Sequence, residues 1–280
     1  MKRIAILSIT LMLLLLLSGC KNSDVVPIDD DTVIEETISS TEAVLTEEST
    51  AETIATEIKS ANNPKVPSSM ELKKVGKMQY YLYTPSDPEP NMPLIVYLHG
   101  GTNKKADVGE LLTLEGFPKF LYEGYYGDLR AYVAVPKLDE NLSGWVSVAD
   151  TIRNMIKSIS DNYGIDMKKV SLTGHSLGGT GTYQLQLKMS NTFACIAPMS
   201  GSVKITESNI GALAKTKIWA FIGSNDKIVD PKSSIEAVDA LKKINAEANI
   251  TILEGATHFD VPSLAYKNEA LIEWLVNCGN

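Results

Sequence analysis

From Leu94 onward, short and almost wholly apolar runs alternate with amphipathic stretches. The runs are Leu94–Leu98, Ala131–Val135, Val170–Thr173, Ala194–Pro198, Lys217–Ile222 and Ile250–Leu253. They are bounded by Gly, Pro or Asn, and they read as strands buried on both faces. Ahead of them, Glu71–Val75 and Met78–Thr84 flank Gly76-Lys77 and predict an opening hairpin. Between the runs, Val148, Ile152, Ile156 and Ile159 recur at helical spacing. Further helices are expected over 177–189, 231–244 and 262–276, with Pro231 and Pro262 suited to first-turn positions. Strand and helix in alternation predict an α/β fold, a parallel sheet covered by helices. Ligands of such sheets bind beyond the carboxyl ends of the strands.

The amino-terminal quarter has a different pattern. Lys2 and Arg3 precede fourteen residues, Ile4 to Leu17, whose only polar members are Ser8 and Thr10. That is short of the ~20 residues a membrane-spanning helix needs, and it reads as a secretory leader over 1–19. Leu17-Ser18-Gly19-Cys20 resembles the cleavage box of bacterial lipoproteins, in which the cysteine carries the lipid. The resemblance implies a protein held at the bacterial cell membrane, outside the cytoplasm, through Cys20. Residues 20–65 are then a tether, rich in Thr, Glu and Ser and without an aromatic residue, so they cannot bury enough apolar surface to offset their ordering entropy. Residues 66–280 form the folded domain.

Charge follows the same division. Residues 21–63 hold eleven acids and two bases, a net of −9 in a chain whose total is −8. The folded part is nearly neutral, which argues against a nucleic-acid partner and gives no hint of substrate charge. Three cysteines are too few for a disulfide scaffold or a cysteine-rich zinc site. With Cys20 lipidated, Cys195 and Cys278 are expected as two free thiols; a bridge needs a Cα separation that sequence does not supply.

The chemistry concentrates at strand ends. Gly174-His175-Ser176-Leu177-Gly178 fits G-x-S-x-G, with a strand before it and a helix after it. The serine then sits at a sharp strand-to-helix turn, its hydroxyl projecting from the sheet and the helix N–H groups beside it. A serine hydroxyl needs a base. Of His99, His175 and His258, the last lies in the loop after the Ile250–Leu253 strand and can reach that turn; His175 adjoins the serine but points away. Asp226, just after the Lys217–Ile222 strand, is the carboxylate expected to orient His258, with Asp230 as the alternative acid or as a helix cap. Oxyanion donors are expected from the N–H of Leu177 and from the His99-Gly100-Gly101 loop, with Gly101 favoured.

The order Ser176, Asp226, His258, with the glycine-flanked serine turn and the His-Gly-Gly loop, resembles the α/β-hydrolase superfamily over about residues 70–280. The resemblance implies a mostly parallel eight-stranded sheet with an antiparallel second strand, and no metal or organic cofactor. Within the superfamily the chain resembles compact secreted esterases of the polyhydroxybutyrate-depolymerase-like, feruloyl-esterase and acetylxylan-esterase kind. Met199 to Thr216 is too short for a cap domain, which suits a bulky or polymer-linked ester. Trp145 is either a stacking surface for a sugar or aromatic acyl group or a packing residue. The expected protein is a monomeric, lipid-anchored serine hydrolase acting on short-chain or carbohydrate-linked esters. A serine peptidase on the same scaffold and a non-catalytic binding lipoprotein are the alternatives.

Overall fold

A computed structural model describes residues 69–114 and 116–279. The leader, Cys20 and the tether lie outside the described residues. The chain opens with the hairpin β1 (Met70–Val75) and β2 (Met78–Tyr83), turning through Gly76 at φ +57°. Six further strands follow: β3 (Leu94–Leu98), β4 (Tyr132–Pro136), β5 (Val170–His175), β6 (Cys195–Met199), β7 (Lys217–Gly223) and β8 (Ala248–Leu253). They join in one sheet of order β1-β2-β4-β3-β5-β6-β7-β8. β1 and β2 pair antiparallel, β2 pairs antiparallel with β4, and every later pairing is parallel. The expected α/β architecture with an antiparallel second strand is therefore the observed one.

The inner strands are apolar throughout because both faces are covered. Leu94, Val96 and Leu98 pack to one side, against Ile152, Ile156 and Ile159 of α3 (Ala149–Tyr163) and Leu185 of α4 (Leu177–Lys188). Ile95 and Tyr97 pack to the other, against Phe117 and Phe120 of α2 (Gly116–Tyr122), which follows the single turn α1 (Leu111–Leu114). Strand period two thus feeds two cores at once. The first core also takes Leu213 of the short α5 (Ile210–Leu213) and Val238 and Leu241 of α6 (Lys232–Lys243). The second takes Ala265 of α7 (Asp260–Ala265) and Leu271 and Leu275 of α8 (Glu269–Asn277). α5 is the one helix between β6 and β7, so no cap domain is inserted between those strands.

Three expectations are corrected. The helix expected over 262–276 is two helices, because Asn268 leaves the helical path and its side chain accepts the Ala270 N–H, capping α8. β8 is an edge strand with Ile252 exposed, not a strand buried on both faces; it has β7 on one side only. Cys195 and Cys278 are bonded as a disulfide, Cα–Cα 5.9 Å, and are not two free thiols. The cause is the return of α8 to the amino-terminal end of the sheet, where Ser171 Oγ donates to the Leu275 carbonyl at 2.9 Å. That return brings Cys278 to the first residue of β6, across 83 positions of sequence.

Candidate active site

Ser176 lies between β5 and α4 at φ +58°, ψ −114°, outside the regions an L-residue ordinarily occupies. Neighbouring backbone holds it there: its N–H donates to the Met199 carbonyl at 2.9 Å, and its carbonyl accepts from Thr180. The flanking glycines are required by space. A Cβ at Gly174 would stand 2.5 Å from the Leu98 carbonyl oxygen, and one at Gly178 would stand 1.9 Å from it. The turn and the end of β3 pass too closely for any side chain.

Asp226 and His258 come together from different loops at the same end of the sheet. His258 Nδ1 donates to Asp226 Oδ2 at 2.7 Å, with both side chains buried. Asp226 Oδ1 accepts the N–H groups of Ile228 and Val229, each at 2.9 Å. Burial pushes this carboxyl upward, but the Val229 amide, His258, the Ile228 amide and Ser200 outweigh it and hold it below the usual carboxylate range. Asp226 therefore stays ionised and fixes the Nδ1–H tautomer, leaving Nε2 as the basic nitrogen. The Ser176 hydroxyl and the His258 ring are not hydrogen-bonded in this resting geometry, although their loops meet. His175, next to Ser176, donates from Nε2 to the His258 carbonyl at 2.9 Å, and the two rings lie 4.7 Å apart. His175 is thus turned beneath the site as a brace, away from the position of a base.

The two other acids near the pair have structural roles. Asp230 Oδ1 accepts the Lys232 N–H at the start of α6, so the alternative acid is a helix cap. Asp260 accepts the N–H and hydroxyl of Thr257, tightening the turn that carries His258. Gly101 and Leu177, the two expected oxyanion donors, are neighbours: a Cβ at Gly101 would lie 3.8 Å from Leu177 Cβ.

Trp145 is corrected as a substrate contact. It is fully buried, and its Nε1–H donates to the His99 carbonyl at 3.1 Å. The His99 ring packs edge-on to Trp145 at 5.0 Å and accepts the Leu138 N–H at Nε2. A backbone N–H can only donate, so Nδ1 carries the proton and donates to the Gly100 carbonyl at 2.8 Å. His99 and Trp145 together fix the loop that presents Gly101. The place of His99 at the head of the His99-Gly100-Gly101 loop was visible in sequence, but its partner Trp145, 46 positions away, was not.

Exposed apolar side chains sit beside the buried ones. Phe259 follows His258 and is 59% exposed, Ile228 lies two residues past Asp226 at 60%, and Val146 follows Trp145 at 40%. Next to the turn that begins at Gly101 is a groove of about 600 Å³, lined by Lys77, Gln79, Lys104, Lys137, Glu140 and Thr151 among others. Lys137 stiffens its wall by donating to the carbonyls of Lys104 and Leu138, and burial lowers its ammonium pKa. Among the described residues no group of three or more His, Cys, Asp or Glu side chains is placed to hold a metal ion.

The family model described as Dienelactone hydrolase family matches residues 78–272. A bifunctional acetylxylan esterase/xylanase of Neocallimastix patriciarum is 28% identical over 159 residues, 54% of this chain and 22% of the relative. The chain thus spans about a fifth of that curated protein's length. Among solved structures, a thermostable esterase superposes with TM-score 0.62 at 21% identity, over 75% of this chain and 63% of that one. A feruloyl esterase module from Clostridium thermocellum, complexed with sinapinate, gives TM-score 0.55 at 15% identity, over 75% and 86%. Thermogutta terrifontis esterase 2 with bound propionate gives 0.59 at 16%, over 77% and 96%. At these identities the structural likeness speaks for the fold. The matched span runs from β2 into α8 and holds Ser176, Asp226 and His258, and this chain belongs to the dienelactone hydrolase family of α/β-hydrolases.

Proposed function

We propose that the protein is a serine-dependent carboxylic ester hydrolase whose nucleophile is Ser176. The observation that carries this reading is the buried His258–Asp226 pair at the same sheet end as the strained Ser176 turn. In the proposed reaction Ser176 Oγ attacks the ester carbonyl while His258 Nε2 takes its proton. Asp226 stabilises the imidazolium that forms. The N–H groups of Leu177 and Gly101 receive the developing oxyanion. His258 returns the proton to the departing alcohol. A water, deprotonated by the same nitrogen, then releases the acid from the acyl-enzyme.

We further propose that the substrate is a short-chain or carbohydrate-linked ester. The groove beside the Gly101 turn offers lysine, amide and hydroxyl groups suited to a sugar, and the exposed Phe259 and Ile228 suit a small apolar acyl group. One relative is named as an acetylxylan esterase. The proposal also places the protein outside the cytoplasm, anchored by lipid on Cys20 as a monomer. Its supports are the leader pattern and the Cys195–Cys278 disulfide, a bond that persists in oxidising compartments.

The test is hydrolysis by the full chain of nitrophenyl acetate to decanoate, acetylated xylan, methyl ferulate and a peptide amide. Turnover of the acetyl esters that vanishes with Ser176→Ala is the expected result. Faster cleavage of the amide than of any ester turns the reading to a peptidase. Failure to turn over any of them or to label with a fluorophosphonate turns it to a binding lipoprotein.

A further inference from the structure

Ser200 directly follows β6 and stands between the strands that carry the nucleophile and the acid. The preceding carbonyl, of Met199, receives the Ser176 N–H, and the Ser200 N–H donates to Phe221 of β7 at 2.9 Å. Two local penalties meet at this residue. Its φ is +44°, a left-handed conformation that disfavours any residue but glycine. Its side chain is buried, and its Oγ has no partner at full hydrogen-bond geometry. A glycine at 200 would remove both penalties, yet the chain holds a hydroxyl there.

The acceptor beside that hydroxyl is the Asp226 carboxylate, which Ser200 helps to hold ionised. Oδ1 of Asp226 is occupied by two backbone N–H groups, whereas Oδ2 takes the His258 Nδ1–H alone and keeps a lone pair. Hydrogen bonds of catalytic groups are often loose in the free enzyme and tighten once substrate is bound.

Building on the hydrolase reading above, we propose that Ser200 is a positioning residue. Its hydroxyl closes onto Asp226 Oδ2 in the substrate complex and fixes the carboxylate that orients His258. It touches neither substrate nor the reacting atoms. The other groups facing this pair are few. His175 packs against the His258 ring, Asp260 is bonded to Thr257, and Asp230 is turned to cap α6, while Lys227 is exposed.

The test compares Ser200→Gly and Ser200→Ala in the full chain with the parent enzyme on nitrophenyl acetate. Both lack the hydroxyl, but only glycine relieves the backbone. Activity should follow the hydroxyl: kcat falls roughly three- to tenfold in both, about one hydrogen bond's worth, with KM little changed. Melting temperature should follow φ, with the glycine variant no less stable than the alanine one. A carboxylate that loses a donor binds imidazolium more strongly, so the acid limb of kcat, which reports the substrate complex in which that bond forms, moves to higher pH. Unchanged kcat in both variants overturns the proposal. So does an acid limb moving to lower pH, because that marks a loosened His258–Asp226 bond and a merely structural serine. Fluorophosphonate labelling of the parent separates the two levels: no labelling sinks the hydrolase reading and Ser200 with it, whereas a labelled parent with equally active variants sinks Ser200 alone.

Discussion

The two ends of the sheet are built on opposite terms. At the carboxyl ends of the strands the chain holds Ser176 and Ser200 at positive φ, buries the Asp226–His258 pair, and leaves Phe259, Ile228 and Val146 facing solvent. At the amino ends the strands are tied to their surroundings. Ser171 bonds the Leu275 carbonyl, Thr216 bonds the Phe193 carbonyl, and Cys195 is bridged to Cys278. Strands of five to seven residues join the two ends rigidly. Strain at the site is tolerated because the opposite end and the two cores over-determine the backbone. Changes at the upper end should therefore move activity and hardly touch stability, and changes at the lower end should do the reverse.

The largest effect that sharpens this contrast is Ser176→Ala. Alanine keeps the same backbone cost, so melting temperature should stay near the parent's while turnover of nitrophenyl acetate falls by about 10³-fold or more. A large loss of stability would mean that the serine side chain holds the turn together. Next comes the lower end. Replacing Cys195 and Cys278 together by Ser should lower the unfolding free energy by about 2–5 kcal/mol, measured in denaturant. Activity per folded molecule should not change; a matching loss of kcat would break the contrast.

Acid titration probes the upper end from another side. The Asp226 carboxyl is held below its usual value in the fold. Its contribution to stability is therefore present above the unfolded carboxylate pKa of about 4 and is lost as pH falls through the folded value. Asp226→Asn should flatten that part of the stability-against-pH curve, as read by urea unfolding between pH 5 and pH 2. An unchanged curve would show that other carboxylates carry the acid sensitivity.

What the sequence disclosed follows the range of the interactions. Inner strands announced themselves because burial on both faces leaves no polar position, as in Leu94–Leu98. The serine turn was legible because its glycines are forced by backbone contact within a short span, and Asp226 and His258 because each lies in the loop that follows a strand. Apart from the Asn268 cap that divides the expected 262–276 helix, the misses are long-range. The Cys195–Cys278 bridge depends on where α8 lands, and the edge position of β8 depends on sheet order. The burial of Trp145 depends on Gly181, where an added Cβ would lie 2.7 Å from the Trp145 side chain. α1 and α2 were missed because they are short pieces whose apolar face is set by the sheet they cover. Ser200 carried no signal at all, since a positive φ at serine is invisible in composition or spacing.

The smallest effect concerns how far the upper end depends on its packing. Trp145→Phe keeps a ring beside His99 and against Gly181 and removes one donor, the Nε1–H that the His99 carbonyl accepts. Loss of that bond costs about 1 kcal/mol. The His99 ring still ties Gly100 to Leu138, so the loop stays in place but is held less firmly. In the proposed role of Gly101 as oxyanion donor, its N–H acts on charge that exists only in the transition state, so its displacement should lower kcat several-fold and leave KM almost unchanged. Steady-state kinetics on nitrophenyl acetate decide the point. A raised KM at constant kcat would place Trp145 in ground-state binding after all, and the separation between a buried brace and an exposed substrate rim would have to be redrawn at this residue.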